Sequence, residues 1–210
     1  MVLSRHLVAM TASLAVFCSV AAADDNERGE KLFELCSTCH GVTGAGNADL
    51  EAPAIAGLSD WYVEAQLIKF RTGARGGDPD DAAGLRMRPM SRALRSDDDV
   101  RLVSAFVASL PPPRREPLLE GGDPARGEQL YRPCAACHGA RGEGNPQLNA
   151  PSVGTTNDWY LLSQLEKFKS GDRGTDPKDT TGALMRPMAA TLIDEQAMKD
   201  VIAYMMTFSP

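Results

Sequence analysis

Two short stretches, residues 35–41 (LCSTCHG) and residues 133–139 (PCAACHG), decide how this sequence of 210 residues is organised. Each stretch holds two cysteines that are separated by two residues and followed at once by a histidine. The six residues are Cys36, Cys39 and His40 in the first stretch and Cys134, Cys137 and His138 in the second. C-x-x-C-H is the attachment motif of c-type haem. The spacing therefore predicts two haem groups, each bound through two thioether bonds, with the adjacent histidine as proximal iron ligand.

The two motifs belong to a longer internal repeat. With an offset of 98 residues the two halves align without a gap, and roughly 35 of about 85 aligned positions are identical. Trp61-Tyr62 aligns with Trp159-Tyr160, and the sequence MRPM occurs at residues 87–90 and again at residues 185–188. A repeat of this length is the size of a small domain. The sequence therefore predicts a duplicated haem domain.

Three other uses of paired cysteines explain the motifs less well. A zinc site needs four ligands, but each half offers only three good ones and the two pairs lie in separate units. A thioredoxin-like dithiol needs a strand–helix context that the sequence lacks. A short disulfide within each motif would leave both histidines unexplained. We therefore expect haem.

The second axial ligand of each iron follows by elimination. Outside the first 23 residues, the two motifs use every cysteine and histidine of the chain. A methionine sulfur is the remaining strong candidate, and each half supplies one MRPM sequence. Because proline interrupts helices, we expect these methionines on a loop that crosses the open haem face. The spacing does not choose between Met87 and Met90, or between Met185 and Met188.

The N-terminus has the pattern of an export signal. Arg5 precedes an apolar run at residues 7–20, and Ala21-Ala22-Ala23 fits the small-residue cleavage rule. We expect a signal peptide at residues 1–23 and an exported mature chain. The apolar run is short for an uncleaved anchor, which needs about 20 residues. No other segment is apolar enough to span a membrane, so we expect no span in the mature chain.

Composition narrows the class of protein. The formal net charge of -6 argues against a nucleic-acid partner. Hydrophobic residues make up 43% and charged residues 24%, which is ordinary for a soluble globular protein. Aromatic residues make up only 6%, which is few for two small domains with cores of their own. A large apolar cofactor in each half would complete the core.

Apolar spacing and capping residues predict an all-α fold. In the first half we expect helices at residues 26–35, from Ser59-Asp60 to about Thr72, and from about Ser96. Their second-half counterparts begin at Asn157-Asp158 and near Asp194. The prolines at 111–113 predict a semi-rigid linker. The predicted units are a domain at 24–110, a linker at 111–123 and a domain at 124–210.

Taken together, these features resemble the dihaem class I cytochromes c, and most closely the cytochrome c4 family. The matching features are the duplicated CxxCHG, the helix that begins Trp-Tyr, the M-x-x-M before a leucine, and the last helix ending in Ala203-Tyr204. The resemblance implies two tandem all-α haem domains that carry electrons in the periplasm. It also implies redox protein partners, with a membrane terminal oxidase or a quinol-oxidising complex as candidates. In that family the first methionine binds iron, so the ligands here would be Met87 and Met185.

An iron that is held on both faces has no position free for a substrate, so the resemblance implies an electron carrier rather than an enzyme. The alternatives are a haem subunit of a larger dehydrogenase or oxidase complex, and a dihaem redox enzyme with one open iron. Arg88 and Arg186, next to the methionines, are candidates to pair with haem propionates. The loop sequence R-G-x-D-P-x-D, which begins at Arg75 and again at Arg173, is less typical of the family.

Overall fold

The computed structural model describes the backbone of residues 8–208 and the side chains of residues 24–208. Within these residues the chain forms eight α-helices and no β-strand, which confirms the predicted all-α class. The helices are α1 (Val8–His40), α2 (Asp60–Thr72), α3 (Ala82–Ala93), α4 (Asp97–Ser109), α5 (Pro124–His138), α6 (Asp158–Ser170), α7 (Thr180–Ala190) and α8 (Glu195–Met205). A short 3-10 helix at Pro146–Leu148 precedes α6.

Each half places four helices in the same order around its own core. In the first half α1 packs on α4, and α2 packs on α3 and α4; in the second, α5 packs on α8, and α6 packs on α7 and α8. A glycine allows each first helix to approach the last one closely. A Cβ atom on Gly29 would lie 2.6 Å from the carbonyl oxygen of Leu102, and one on Gly127 would lie 1.9 Å from that of Asp200.

The apolar face of α4 forms the centre of the first core. Val100, Val103 and Val107 are buried there and pack with Phe33 and Leu94. In the second half the cluster on α8 includes Tyr131 and Phe208 beside Val201 and Ile202.

The capping residues set several helix boundaries as predicted. Ser96 and Asp99 form a reciprocal capping box at the start of α4, and Asp194 accepts a hydrogen bond from the Ala197 amide at the start of α8. The predicted end of the first helix at residue 35 is wrong, since α1 continues to His40. No helix-breaking residue precedes Gly41, whose φ of 78° ends the helix.

The N-terminal part of α1 overlaps the predicted signal peptide. Because α1 begins at Val8, the predicted cleavage point near Ala23 lies within this helix, while residues 1–7 lie outside the described residues. Among the helices that the structure describes, none has the length and apolarity required to cross a membrane.

The prediction that the MRPM methionines lie on loops is wrong, because both sequences lie within helices, α3 and α7. The helices begin well before the prolines, since Asp81 accepts a hydrogen bond from the Gly84 amide and Asp179 accepts one from the Gly182 amide, each at 2.9 Å. Proline removes one intrahelical hydrogen bond, and a capped helix of this length continues despite that loss.

The segment at residues 111–123 has no regular secondary structure, and it is attached to the second half by two buried carboxylates. Asp158 Oδ2 accepts hydrogen bonds from the amides of Leu118 and Leu119, at 2.6 and 2.8 Å. Asp200 Oδ1 accepts one from the amide of Asp123 at 2.9 Å. These bonds hold the segment against α6 and α8.

Candidate functional site

Each CxxCH motif occupies the last turn of a helix, α1 in the first half and α5 in the second. Cys36 and His40 are four residues apart and therefore lie on one helix face, with Cys39 in the same turn. The four motif cysteines form no disulfide with one another; Cys36 and Cys134 are partly buried, whereas Cys39 and Cys137 are exposed. Burial raises the pKa of the Cys36 thiol to about 11 and also raises that of Cys134.

Both histidines are buried and oriented by a backbone carbonyl. His40 Nδ1 lies 2.7 Å from the carbonyl oxygen of Pro53, and His138 Nδ1 lies 2.8 Å from that of Pro151. Because Nδ1 donates to the carbonyl, Nε2 keeps its lone pair for a metal. Burial lowers the pKa of both imidazoles, which favours the neutral form that binds iron.

The four candidate methionines differ in exposure. Met87 is partly buried, whereas Met90, one turn later on α3, is 37% exposed. In the second half Met185 and Met188 are both partly buried. Exposure therefore does not identify the ligand in either half. Methionine ligation of the two irons stays a prediction.

The two arginines beside these methionines have different surroundings. Arg88 is partly buried, and its Nε atom is buried without a hydrogen-bond partner. Arg186 is exposed. The pairing of either arginine with a haem propionate stays a prediction.

A polar network at the contact between the two halves was missed by the sequence analysis. Gln164 Oε1 accepts hydrogen bonds from Arg75 at 2.8 Å and from Arg173 at 2.7 Å. Gln66 Oε1 accepts from the same two guanidinium groups, at 2.8 and 3.0 Å. Each arginine also stacks on a phenylalanine of its own half, with 4.4 Å from the guanidinium carbon to the ring centroid. The contact therefore has approximate two-fold symmetry.

Two ion pairs cross the same contact with the same symmetry. Lys69 Nζ lies 2.5 Å from Asp179 Oδ1, and Lys167 Nζ lies 2.6 Å from Asp81 Oδ1. Both carboxylates are buried, and both also cap the methionine-bearing helices. The sequence feature that could have indicated this network is the repeat, since Gln, Lys, Arg and Asp occur at the same four positions in both halves. The repeat alone does not show that the residues of one half contact those of the other.

The network carries unbalanced positive charge. Lys69 and Lys167 are each paired with an aspartate, but Arg75 and Arg173 pair with no carboxylate within residues 24–208, although both are buried. Arg75 donates instead to the Tyr160 hydroxyl at 2.7 Å. Burial alone would raise the pKa of Tyr160, but the two guanidinium groups outweigh burial and lower it. Two buried cations without an anion indicate that an acidic group belongs beside them.

These features fit a covalently bound haem in each half. Each motif supplies two free thiols and an imidazole whose Nε2 is available, and the shared contact supplies cationic groups that suit propionates.

A family model described as Cytochrome c matches residues 26–111 and 124–209. The chain belongs to the cytochrome c family. Cytochrome c4 of Stutzerimonas stutzeri is 30% identical over 204 residues, which cover 90% of this chain and 92% of that protein. A thiosulfate dehydrogenase electron acceptor of Stutzerimonas stutzeri (strain A1501) is 31% identical over 87% of each chain.

The crystal structure of reduced recombinant cytochrome c4 from Pseudomonas stutzeri is similar to this fold, with a TM-score of 0.68 and 29% identity over 87% of this chain and 98% of that one. The chain therefore consists of two tandem cytochrome c domains. It carries two covalently bound haem c groups, at Cys36 and Cys39 and at Cys134 and Cys137. It is a dihaem electron-transfer cytochrome with redox protein partners.

Proposed function

We propose that this cytochrome is a periplasmic carrier that accepts electrons from a dehydrogenase or a quinol-oxidising complex and passes them to a membrane terminal oxidase. The export pattern of residues 1–23 supports the location. The similarity to a protein named as the electron acceptor of thiosulfate dehydrogenase supports a dehydrogenase as the donor. A carrier must leave one partner to reach the next, so its interfaces are small and transient.

The axial ligands in this proposal are His40 and Met87 in the first domain and His138 and Met185 in the second. The observation that carries it is the buried imidazole in each half whose Nδ1 is held by a proline carbonyl. Haem, when bound, supplies a one-electron iron couple. The Nδ1 bond would keep the histidine oriented, and a methionine sulfur would favour the reduced iron and exclude other ligands. No position is then free for a substrate, which argues against the dihaem-enzyme alternative.

Arg75 and Arg173 hold haem propionates in this proposal. Both guanidinium groups are buried at the contact between the domains and lack a carboxylate among the side chains described. A propionate would supply the missing negative charge and accept charge-assisted hydrogen bonds. With propionates bound there, both haem groups would lie near the domain contact, which would suit electron exchange between them.

Methionine ligation is tested with two matched pairs of variants of the purified haem protein: Met87→Ala against Met90→Ala, and Met185→Ala against Met188→Ala. The first member of each pair should lose the weak near-infrared band of methionine-bound Fe(III) in one domain and become partly high-spin. The second member should keep the band. A wild-type protein with a high-spin haem that binds external ligands rapidly at neutral pH would overturn the carrier proposal in favour of an enzyme.

Location and complex formation have their own test. The protein isolated from the periplasmic fraction should begin at about residue 24 and behave as a free monomer. Stable copurification with a dehydrogenase or an oxidase would show that the protein is a fixed haem subunit of a complex and not a free carrier.

A further inference from the structure

The peptide unit between Pro53 and Ala54 is hydrogen-bonded at both ends. Its carbonyl oxygen accepts the Nδ1–H bond of His40 at 2.7 Å, and its N–H group donates to Asn157 Oδ1 at 2.6 Å. The carbonyl and the N–H belong to the same amide. A continuous chain of hydrogen bonds therefore runs from the imidazole of the first domain to a side chain of the second.

The side chain of Asn157 binds the first domain instead of capping its own helix. It is the N-cap residue of α6, where an asparagine side chain usually accepts a hydrogen bond from its own helix. At this helix no side-chain cap bond forms, and the oxygen accepts from Ala54 instead. The neighbouring Thr156 donates through Oγ1 to the carbonyl of Ala54 at 3.3 Å. Thr156 and Ala54 are both buried. Two consecutive side chains of the second domain thus hold one residue of the first.

Among the described residues, the second domain has no equivalent chain of hydrogen bonds. His138 Nδ1 is bonded to the carbonyl oxygen of Pro151, so the corresponding amide N–H is that of Ser152. This N–H has no acceptor among residues 24–208. The repeat position that corresponds to Asn157 is Ser59, which is exposed and makes no side-chain cap bond. The chain of hydrogen bonds between the domains therefore reaches only His40.

We propose that Asn157 is a positioning residue that lowers the reduction potential of the first haem through the Pro53–Ala54 peptide. A peptide whose N–H is hydrogen-bonded has a more polarised carbonyl and is a better acceptor. A stronger bond at Nδ1 makes Nε2 of His40 a stronger donor to the metal, which favours the oxidised iron. The second domain thereby adjusts the first, and the inference rests on the proposed ligation of the first iron by His40.

The experiment uses the purified dihaem protein and the variants Asn157→Leu and Asn157→Asp, with Ser59→Ala as the matched control. The two haem potentials are followed separately in a redox titration by their NMR methyl signals, assigned to each domain. Leucine removes the acceptor, so the equilibrium constant for reducing the first haem should rise about three- to tenfold, or about 30–60 mV at 59 mV per decade. Aspartate keeps an acceptor and adds negative charge, so it should lower that potential. Ser59→Ala should change neither haem.

Three results would overturn the inference: no shift in the first haem, equal shifts in both haems, or shifts of the same sign for leucine and aspartate. Equal shifts would show a general loosening of the domain contact. The aspartate variant keeps the test decisive if the leucine variant does not fold. A wild-type first haem that lacks a low-spin histidine–methionine spectrum would overturn the proposed ligation. An unchanged potential with that spectrum intact would overturn only the role of Asn157.

Discussion

Replacing Gln164 by leucine removes one of the two glutamine acceptors that both buried guanidinium groups share. Leucine has a volume similar to that of glutamine, so the main change is the loss of two charge-assisted hydrogen bonds, of 2.7 and 2.8 Å. Each hydrogen bond to a charged group contributes about 1.5–3 kcal/mol, so complete loss of both would lower the free energy of unfolding by about 3–6 kcal/mol. Gln66 still accepts from both Arg75 and Arg173, so we expect a loss of about 3 kcal/mol in the free energy of unfolding.

The measurement is denaturant unfolding of the haem protein, followed by haem absorbance and by circular dichroism. Gln129→Leu is the control, because Gln129 is exposed on α5, and such a surface change should stay within about 0.5 kcal/mol. The Gln66→Leu/Gln164→Leu double variant should lose more than the sum of the two single variants, since neither glutamine then remains to accept. A Gln164→Leu protein as stable as the control would show that the network does not stabilise the contact between the domains.

Two further predictions concern packing and charge. Gly127→Ala should destabilise the protein by about 2 kcal/mol or more in thermal unfolding, because the new Cβ would meet a backbone carbonyl of α8. Gly154→Ala is the control and should have little effect, because its Cβ would lie 3.4 Å from the nearest atom. Equal losses in the two variants would contradict this account of the helix crossing. Burial, and then the carboxylate of Glu195, raise the pKa of Glu166, so its ionised form disfavours folding above that pKa. Glu166→Gln should therefore stabilise the protein at pH 7 but not well below pH 4.5, and a gain that persists in acid would refute the electrostatic cause.

The haem attachment could be predicted from the sequence because its chemistry is local. Both thiols and the imidazole lie within five consecutive residues, and one helical turn brings them together without help from the rest of the fold. The helix that begins after Ser96 was equally accessible, since its cap and its valine spacing are both local. The repeat then predicted that the second half would do the same.

The MRPM helices show where local reasoning fails. The prolines suggested loops, but the helices start at capping aspartates eight residues earlier and continue through the prolines. Those same aspartates accept ion pairs from lysines of the other half. The conformation around the methionines thus depends partly on a domain contact that no short stretch of sequence contains.

The covalent chemistry, the helical class and the duplication could all be predicted from the order of residues, because each depends on the spacing of neighbouring residues or on an offset within the chain. The contacts between side chains of the two domains became visible only in the folded protein. Arg75 meets Tyr160 and Arg173 meets Gln66 across 85 and 107 residues of chain, respectively. Such contacts depend on how two folded surfaces are oriented, and the order of residues along the chain does not encode that orientation locally.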